Sequence, residues 1–246
     1  MTHPPRFLQT ILATPRDDSP RLRYAKWLEG CGNPLGEFIR LQCDLARDRF
    51  AHPPAYCERR AQQLLAEHQG FWADAVSHRV SWCSFRRGFV EEIAITDRQL
   101  IRHAADLFQR APVLDIHLVS DGRRLDELPE LPDLPYTFFL DLSAQGLGDD
   151  GVARLADSPF LLHAHGLNLG STYLGDDGLD ALAHSPFLTS LRELYLNDNP
   201  ITDDGIRQFV LAPIAERLDV LDVRTTQIGE DGVEALRHLL GEQVLC

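Results

Sequence analysis

The C-terminal half of the chain repeats itself every 27 residues. Four segments align without a gap: LDLSAQGLGDDG from Leu140, LNLGSTYLGDDG from Leu167, LYLNDNPITDDG from Leu194 and LDVRTTQIGEDG from Leu221. The glycine that ends each segment is followed by an apolar pattern with helical spacing. A period of this length is typical of repeat arrays, in which each repeat is one supersecondary unit. Because such a unit cannot bury its own apolar face, the sequence predicts that successive units stack on one another.

Each unit predicts one short strand and one helix. The two leucines of the L-x-L motif share one face of a strand, because side chains alternate along it. The D-D-G or E-D-G triplet opens the helix, and we expect its carboxylates to accept hydrogen bonds from the first N–H groups of that helix. Ser158-Pro159 and Ser185-Pro186 end two of the helices, since proline cannot continue them. Stacking such units predicts parallel strands on the inner side and helices on the outer side.

The pattern resembles the long, ribonuclease-inhibitor-like leucine-rich repeats, whose consensus is L-x-x-L-x-L-x-x-N-x-L. The third unit matches the consensus throughout, with Leu191, Leu194, Leu196, Asn199 and Ile201. The other units carry Gln145, Thr172 and Thr226 in place of the asparagine. In that family the asparagine bonds backbone groups of successive turns, so we expect a less regular ladder here. The resemblance implies an α/β leucine-rich-repeat solenoid.

The residues before the first clear repeat, which begins near residue 136, predict weaker versions of the same unit. Residues 89–95 alternate like a strand, 97–110 read as an amphipathic helix, and 114–118 read as another strand. Three prolines leave little room for a helix at 120–135, which predicts an abbreviated unit. We therefore assign residues 81–246 to the repeat domain and residues 1–80 to a separate N-terminal domain.

Residues 1–80 lack the repeat and predict an all-α cap of short helices. Ser19-Pro20 reads as the N-cap and first residue of one helix, and Asn33-Pro34 precedes another. The run FLQTILATPRDDSPRLRYAKWLEGCGNPLGEFIRLQ, at about residues 4–48, resembles the bacterial repeat-companion domain, which accompanies leucine-rich repeats. The resemblance implies a bacterial protein. It implies no activity, because none is established for that family.

Charge is distributed unevenly along the chain. Residues 1–110 carry 16 basic and 13 acidic side chains, whereas residues 111–246 carry 8 basic and 24 acidic ones. An acidic surface repels phosphate backbones, so we expect no nucleic-acid partner for that half and favour a basic or neutral protein partner. The five scattered cysteines form no CxxC pair, which predicts reduced thiols and a cytoplasmic location. No apolar run is long enough for a membrane span, and we expect no membrane association.

Candidate motifs for chemistry are explained better by the repeat. Gly146 to Gly151 satisfies GxGxxG, but the same place in the other units reads YLGDDG, PITDDG and QIGEDG, so the glycines belong to the turn of the repeat. Two aspartates at the helix start also oppose a pyrophosphate there. The acidic pairs lie on separate turns, whereas calcium needs oxygens that converge. His163 and His165 lie at a strand start and predict surface histidines. We therefore expect no catalytic residue, cofactor or metal site, and no enzymatic activity.

The positions beside the strand leucines predict a protein-binding surface on the concave side of the array. They are Asp141, Ser143, Asn168, Tyr195, Asn197, Asp222 and Arg224. Tyr195 is the best anchor candidate, because an aromatic residue among polar groups is typical of interfaces. Two alternatives stay open. The helical block could carry an enzymatic or toxin-like activity around Asp17, Asp18, Tyr24 and Glu37, targeted by the repeats. The chain could also be a structural subunit of a homo-oligomer, with self-association near Leu245.

Overall fold

The computed structural model describes residues 5–47, 53–119, 137–241 and 244–245. They form two compact units, the first made of Met1–Ala94 with His103–Leu114 and the second of Ile95–Arg102 with Asp115–Cys246. The abbreviated unit predicted at 120–135 lies outside the described residues. Among the residues that are described, no helix is long and apolar enough to cross a bilayer.

The first unit is a helical block followed by a β-hairpin. Its elements are α1 (Pro5–Ala13), α2 (Asp18–Gly30), α3 (Pro34–Ala46), α4 (Pro54–Trp72), α5 (Asp74–Ser77), β1 (Trp82–Arg86) and β2 (Phe89–Ile95). A further helix, α6, covers Asp97–Arg110. The predicted start of α2 was wrong by two residues: Asp17 is the N-cap, and its carboxylate accepts from the Ser19 nitrogen at 2.8 Å. Ser19 therefore lies inside the helix and does not cap it.

The β1–β2 turn is locked onto α3. Arg87 and Gly88 both have positive φ, 50° and 86°, as the tightest hairpin turns require. Gln42 of α3 accepts from the Gly88 nitrogen at 2.7 Å and donates to the Phe85 carbonyl at 3.3 Å. A Cβ on Gly88 would lie 2.2 Å from Cγ1 of Ile39. Glycine is therefore required here both by the backbone angle and by the approach of α3.

A buried ion cluster joins the same hairpin to α2. The Arg21 guanidinium, fully buried, donates to Oε1 of Glu91 at 2.5 Å. Arg87 donates to Oε2 of Glu91 at 2.7 Å. Asp18 accepts from Arg47 at 2.6 Å. Buried charges are tolerated only when they are paired, so this network holds the helical block and the hairpin together.

The second unit contains the repeats, and its strands pair in parallel; the four central strands pair with the 27-residue offset seen in the sequence. The strands are β3 (Asp115–Leu118), β4 (Phe139–Asp141), β5 (Gly166–Asn168), β6 (Glu193–Tyr195), β7 (Val220–Asp222) and β8 (Val244–Leu245). The helices between them are α7 (Gly148–Ala156), α8 (Asp176–Ala183), α9 (Asp203–Phe209) and α10 (Glu230–Leu240). Leu140, Leu167, Leu194 and Leu221 lie directly opposite one another. All four are at most 1% exposed, so they form a continuous core.

The first acid of each D-D-G triplet does not cap its own helix, which corrects the expectation from the sequence. Asp149 accepts from the nitrogens of Gly175 and Gly178, at 2.6 and 3.1 Å, at the helix start of the following unit. Asp203 accepts from Gly229 and Gly232 in the same way, at 2.8 and 3.1 Å. Stacking brings each carboxylate to the free N–H groups of the next helix, so one acid links two units.

The asparagine ladder is irregular, as its sequence predicts. Asn199 is buried and reaches the preceding unit: its Oδ1 accepts from the nitrogens of Thr172 and Leu174 at 3.0 Å, and its Nδ2 donates to the Leu169 carbonyl at 2.7 Å. The Thr226 hydroxyl bonds only within its own turn, donating to the Val223 carbonyl at 2.7 Å. A threonine is too short to span two turns, because it lacks the amide group.

Candidate binding surface on the strands

The side chains of β3 to β8 on either side of the core row, which runs from Ile116 through the four repeat leucines to Val244, form two adjacent rows that we call the strand face. One row contains His117, Asp141, Asn168, Tyr195, Asp222 and Leu245, each opposite its neighbour in the ladder. The second row contains Asp115, Phe139, Gly166, Glu193 and Val220. Ser143, Asn197 and Arg224 follow the strands by two residues. Stacking therefore brings together the predicted site residues of different units, since matching positions recur every 27 residues.

An aromatic pair lies at the centre of the strand face. The Phe139 and Tyr195 rings are 5.9 Å apart in an edge-to-face arrangement. A Cβ on Gly166 would lie 2.3 Å from the Phe139 ring. Glycine in the intervening strand thus leaves room for Phe139 to lie across it towards Tyr195. Aromatic pairs of this geometry are favourable and rigid, so they form an ordered apolar patch in a polar surface.

The Tyr195 hydroxyl donates to Oε2 of Glu193 at 3.2 Å. Burial raises the pKa of Tyr195 above its ordinary value, and the negative charge of Glu193 raises it further. The phenol therefore stays protonated at neutral pH and retains its donor. Because both side chains are half-buried, they stay accessible to a ligand.

Asp222, the last residue of β7, forms an ion pair with Arg224. Arg224 donates from Nε at 2.9 Å and from Nη2 at 2.6 Å to the two carboxylate oxygens of Asp222, which is 1% exposed. Burial alone would raise the pKa of Asp222, but hydrogen bonds from the Arg224 side chain and backbone, together with its positive charge, lower it overall. Asp222 is therefore a structural support, whereas the exposed part of Arg224 is the group available to a partner.

The other predicted residues bond locally. Asp141 accepts from the Ser143 nitrogen at 2.9 Å, and its other oxygen lies 3.2 Å from Nδ1 of His117. Asn168 accepts from the Gly170 nitrogen at 2.9 Å. Asn197 donates to Asp198 at 2.7 Å. These contacts hold the polar side chains in place, and each of the four predicted residues remains partly exposed.

Sequence reasoning missed His117, Phe139 and Glu193. Phe139 and Glu193 directly precede the first leucine of their L-x-L motifs, and strand alternation places that position on the same side as the residue after the leucine. His117 lies in a leading unit where the repeat is weak. The alternation of side chains along a strand, which identified Tyr195, could therefore have identified Phe139 and Glu193 as well. It could not have predicted which residues they contact.

The structure gives separate structural roles to the residues of the enzymatic alternative. Asp17 caps α2. Asp18 belongs to the buried ion cluster. Tyr24 is fully buried and stacks on Phe7 at 4.8 Å. Glu37 forms a half-exposed ion pair with Arg60 at 2.8 Å. Side chains occupied in this way do not converge on a common cleft, which disfavours an active site built from them.

The G-x-G-x-x-G segment belongs to the repeat turn. Gly146 and Gly148 have φ values of 61° and 59°, and the Gly148 nitrogen donates to the Thr172 carbonyl of the next unit at 2.9 Å. The Asp149 carboxylate accepts from the Gly175 and Gly178 nitrogens at the start of α8, so this segment serves the contact between two repeats. Within the described ranges, no group of His, Cys, Asp and Glu side chains is arranged to hold a metal ion.

Residues 187–210 match the family model described as "Leucine Rich repeat". The chain contains a leucine-rich repeat. The match covers the unit with the complete consensus and confirms that part of the resemblance. No curated protein matches the chain. Among solved structures, it is similar to "Leiomodin-1 Actin-Binding Site 2 (ABS2)", with 15% sequence identity, a TM-score of 0.39, and coverage of 47% of this chain and 69% of that one.

Proposed function

We propose that this chain is a non-enzymatic scaffold whose leucine-rich repeats form a short solenoid and bind a protein partner through a concave strand face. The observation that carries the proposal is the Phe139–Tyr195 pair, an ordered aromatic patch surrounded by polar side chains. Aromatic anchors within a polar rim are typical of protein interfaces. Residues 1–80 serve as a repeat-companion-like cap, and residues 81–246 as the repeat domain, in the cytoplasm of a bacterium.

The partner we propose is basic or neutral. The half-buried carboxylates of Asp141 and Glu193 give the strand face its negative charge, whereas Asp222 is neutralised by its ion pair with Arg224. Residues 111–246 as a whole carry three times as many acidic as basic side chains. Complementary charge accelerates association and excludes acidic competitors.

Affinity capture with surface variants tests the proposal. The face variant is Glu193→Ala, Tyr195→Ala, Asn197→Ala; it keeps Arg224, whose loss would leave the buried Asp222 unpaired. The matched control is Asp180→Ala, Gln208→Ala, Glu234→Ala, which changes exposed positions on three helices. Each tagged protein is incubated with lysate of the source organism, after its melting temperature has been compared with wild type. A protein that wild type and control retain, and that the folded face variant loses by about tenfold or more, would support the proposal.

Equal retention by the face variant would move the binding site off the strands. If wild type itself retains no protein, the scaffold function is wrong. Any captured protein is then purified and titrated against the same three variants, so that a direct interaction is separated from an indirect one.

Self-association is the second candidate. Within the described residues β8 pairs with β7 and has no strand on its other side, and Leu245 is 41% exposed. An open strand edge can pair with another chain. Sedimentation velocity at increasing protein concentration tests this: a monomer throughout the high micromolar range would refute it, and a discrete larger species lost on Leu245→Lys substitution would support it.

A further inference from the structure

A cleft lies between α1 and α2 of the helical block. Its residues are distant in the sequence from those of the strand face, and its charged residues are basic. It has a volume of about 370 Å³ and is lined by Arg6, Phe7, Thr10, Pro20 and Arg23. Its apolar wall is well supported, since the Phe7 ring lies 5.6 Å from the ring of Trp27. Trp27 is itself 41% exposed and extends the aromatic surface beyond the cleft.

Two guanidinium groups without a carboxylate partner reach this cleft from different helices. Arg6 of α1 lies over the Phe7 ring, 4.9 Å from its centroid, and Arg23 of α2 lines the same space. Both are exposed, and neither forms an ion pair with any residue that the structure describes. Asp17 interacts electrostatically with Arg23, but its carboxylate is engaged by the Ser19 nitrogen.

Five other arginines of the first unit are paired with acids. Arg21, Arg47 and Arg87 are all paired with acids in the buried cluster, and Arg40 and Arg60 are paired at the surface. The chain has a net charge of −13, so acids to neutralise Arg6 and Arg23 are abundant in the sequence. Exposed Lys26, on α2, adds a further positive charge close to Arg23 in the sequence.

We propose that this cleft binds an acidic segment of a partner protein. The carboxylates of that segment pair with Arg6 and Arg23, while an apolar side chain packs on Phe7. Arginine suits this role because its planar group binds a carboxylate through two parallel hydrogen bonds. Arg6, Thr10 and Arg23, three of the five lining residues, are exposed, whereas small-molecule sites enclose most of their ligand. A nucleic acid is disfavoured, because a long and densely charged polyanion is repelled more strongly by a chain of this net charge.

The proposal gives the protein two binding surfaces of opposite character. The strand face is acidic and aromatic, and the α1–α2 cleft is basic and aromatic. The cleft does not depend on the function proposed for the strands, since every residue that lines it belongs to the helical block.

A direct binding measurement on the full chain tests the cleft. The probe is a fluorescein-labelled peptide of eight glutamates with one central leucine, titrated by fluorescence anisotropy. The cleft variant is Arg6→Gln, Arg23→Gln, which retains hydrogen-bonding side chains and removes two charges. The control variant is Arg59→Gln, Arg98→Gln, which removes the same charge from two other exposed arginines. We expect the cleft variant to bind about tenfold or more weakly than wild type and the control to stay within about twofold.

Each other result would overturn the proposal. Equal losses in both variants would show a general charge effect, and unchanged affinity in the cleft variant would place the peptide elsewhere. Absence of binding to wild type would refute the site. Displacement of the peptide by an equal concentration of inorganic phosphate would make the ligand a phosphate group, and tighter binding of a labelled single-stranded oligonucleotide would make it a nucleic acid. The strand-face variant Glu193→Ala, Tyr195→Ala, Asn197→Ala should bind the peptide like wild type, so failure of either proposal is recognised separately.

Discussion

Asp176 accepts two hydrogen bonds from Thr202 of the following repeat, from the backbone nitrogen at 2.8 Å and from the hydroxyl at 2.6 Å. The same hydroxyl accepts from the Asp204 nitrogen at 3.2 Å and caps α9. One carboxylate therefore orients the residue that begins the next helix. Asp149 and Asp203 take equivalent positions in their units, so the first acid of the triplet holds neighbouring repeats together.

Replacement of this acid should destabilise the array. Asp176→Ala leaves the Thr202 nitrogen and hydroxyl without their acceptor, and we expect the free energy of unfolding to fall by about 1–3 kcal/mol. The matched control is Asp177→Ala, which removes the same charge from an exposed neighbour. In this control the free energy of unfolding should fall by less than about 1 kcal/mol, because only the interaction of Asp177 with the helix dipole is lost. Urea denaturation followed by circular dichroism measures both, and equal losses would contradict the assigned role.

Gly205 should resist substitution because Asp176 lies against it. A Cβ on Gly205 would be 2.3 Å from Oδ1 of Asp176, which must then move away from Thr202. We expect Gly205→Ala to lower the free energy of unfolding by about 1–3 kcal/mol, despite the better helix propensity of alanine. Gly70→Ala is the control, since no atom lies within 4 Å of its Cβ position, and it should stabilise by about 0.5–1 kcal/mol.

A double-mutant cycle distinguishes this contact from a general intolerance at Gly205. In the Asp176→Ala background, Gly205→Ala should lower the free energy of unfolding far less than in wild type, because the carboxylate atoms at 2.3 and 2.7 Å are gone and only Cβ of residue 176, at 3.1 Å, still lies close. Additive losses in the double variant would show that the carboxylate is not the obstacle.

The buried ion cluster should be far more sensitive than its surface neighbour. Glu91→Ala leaves the buried guanidinium of Arg21 without its acid, and we expect a loss of about 3–5 kcal/mol in the free energy of unfolding. Glu92→Ala removes a surface ion pair with Arg86 and should cost less than about 1 kcal/mol. Thermal and urea denaturation of both variants provide the measurement, and similar costs would refute the importance of the cluster.

Asp222 should contribute stability that depends on pH. Its pKa in the folded protein lies below the ordinary value of 3.8, because the hydrogen bonds and charge of Arg224 outweigh the effect of burial. The unfolded chain therefore binds a proton more readily, and the contribution is fully present above the unfolded pKa and lost as pH falls through the folded one. The stability difference between wild type and Asp222→Asn should be constant from pH 7 to about 5 and shrink towards pH 2. A difference that grows on acidification would reverse the assigned direction.

The repeat pattern predicted much of the second unit because its signals are local. Alternation within L-x-L identified the buried leucines, and the constant spacing placed Leu140, Leu167, Leu194 and Leu221 in register. The helix starts followed from the D-D-G triplets. The local pattern could not assign a partner to Asp149, because two acceptors were possible: its own helix and the next one.

The candidate surfaces were predicted less completely. Tyr195 was identified from its position beside two leucines, but its pairing with Phe139 across Gly166 spans 56 residues of sequence and has no local signal. The α1–α2 cleft was not predicted either, because an arginine without an acid partner looks the same in a sequence as one that is paired.

The sequence by itself determined the repeat period, the alternation of strands and helices, and which leucines are buried, because these depend on spacing along one chain. Only the tertiary structure decided that the first acid of each D-D-G triplet serves the next unit, that Arg21 is wholly buried beside Glu91, and that Phe139 contacts Tyr195. Each of these contacts joins groups distant in the chain. Its geometry depends on how elements pack, since hydrogen bonds and ring contacts form only over a few ångströms.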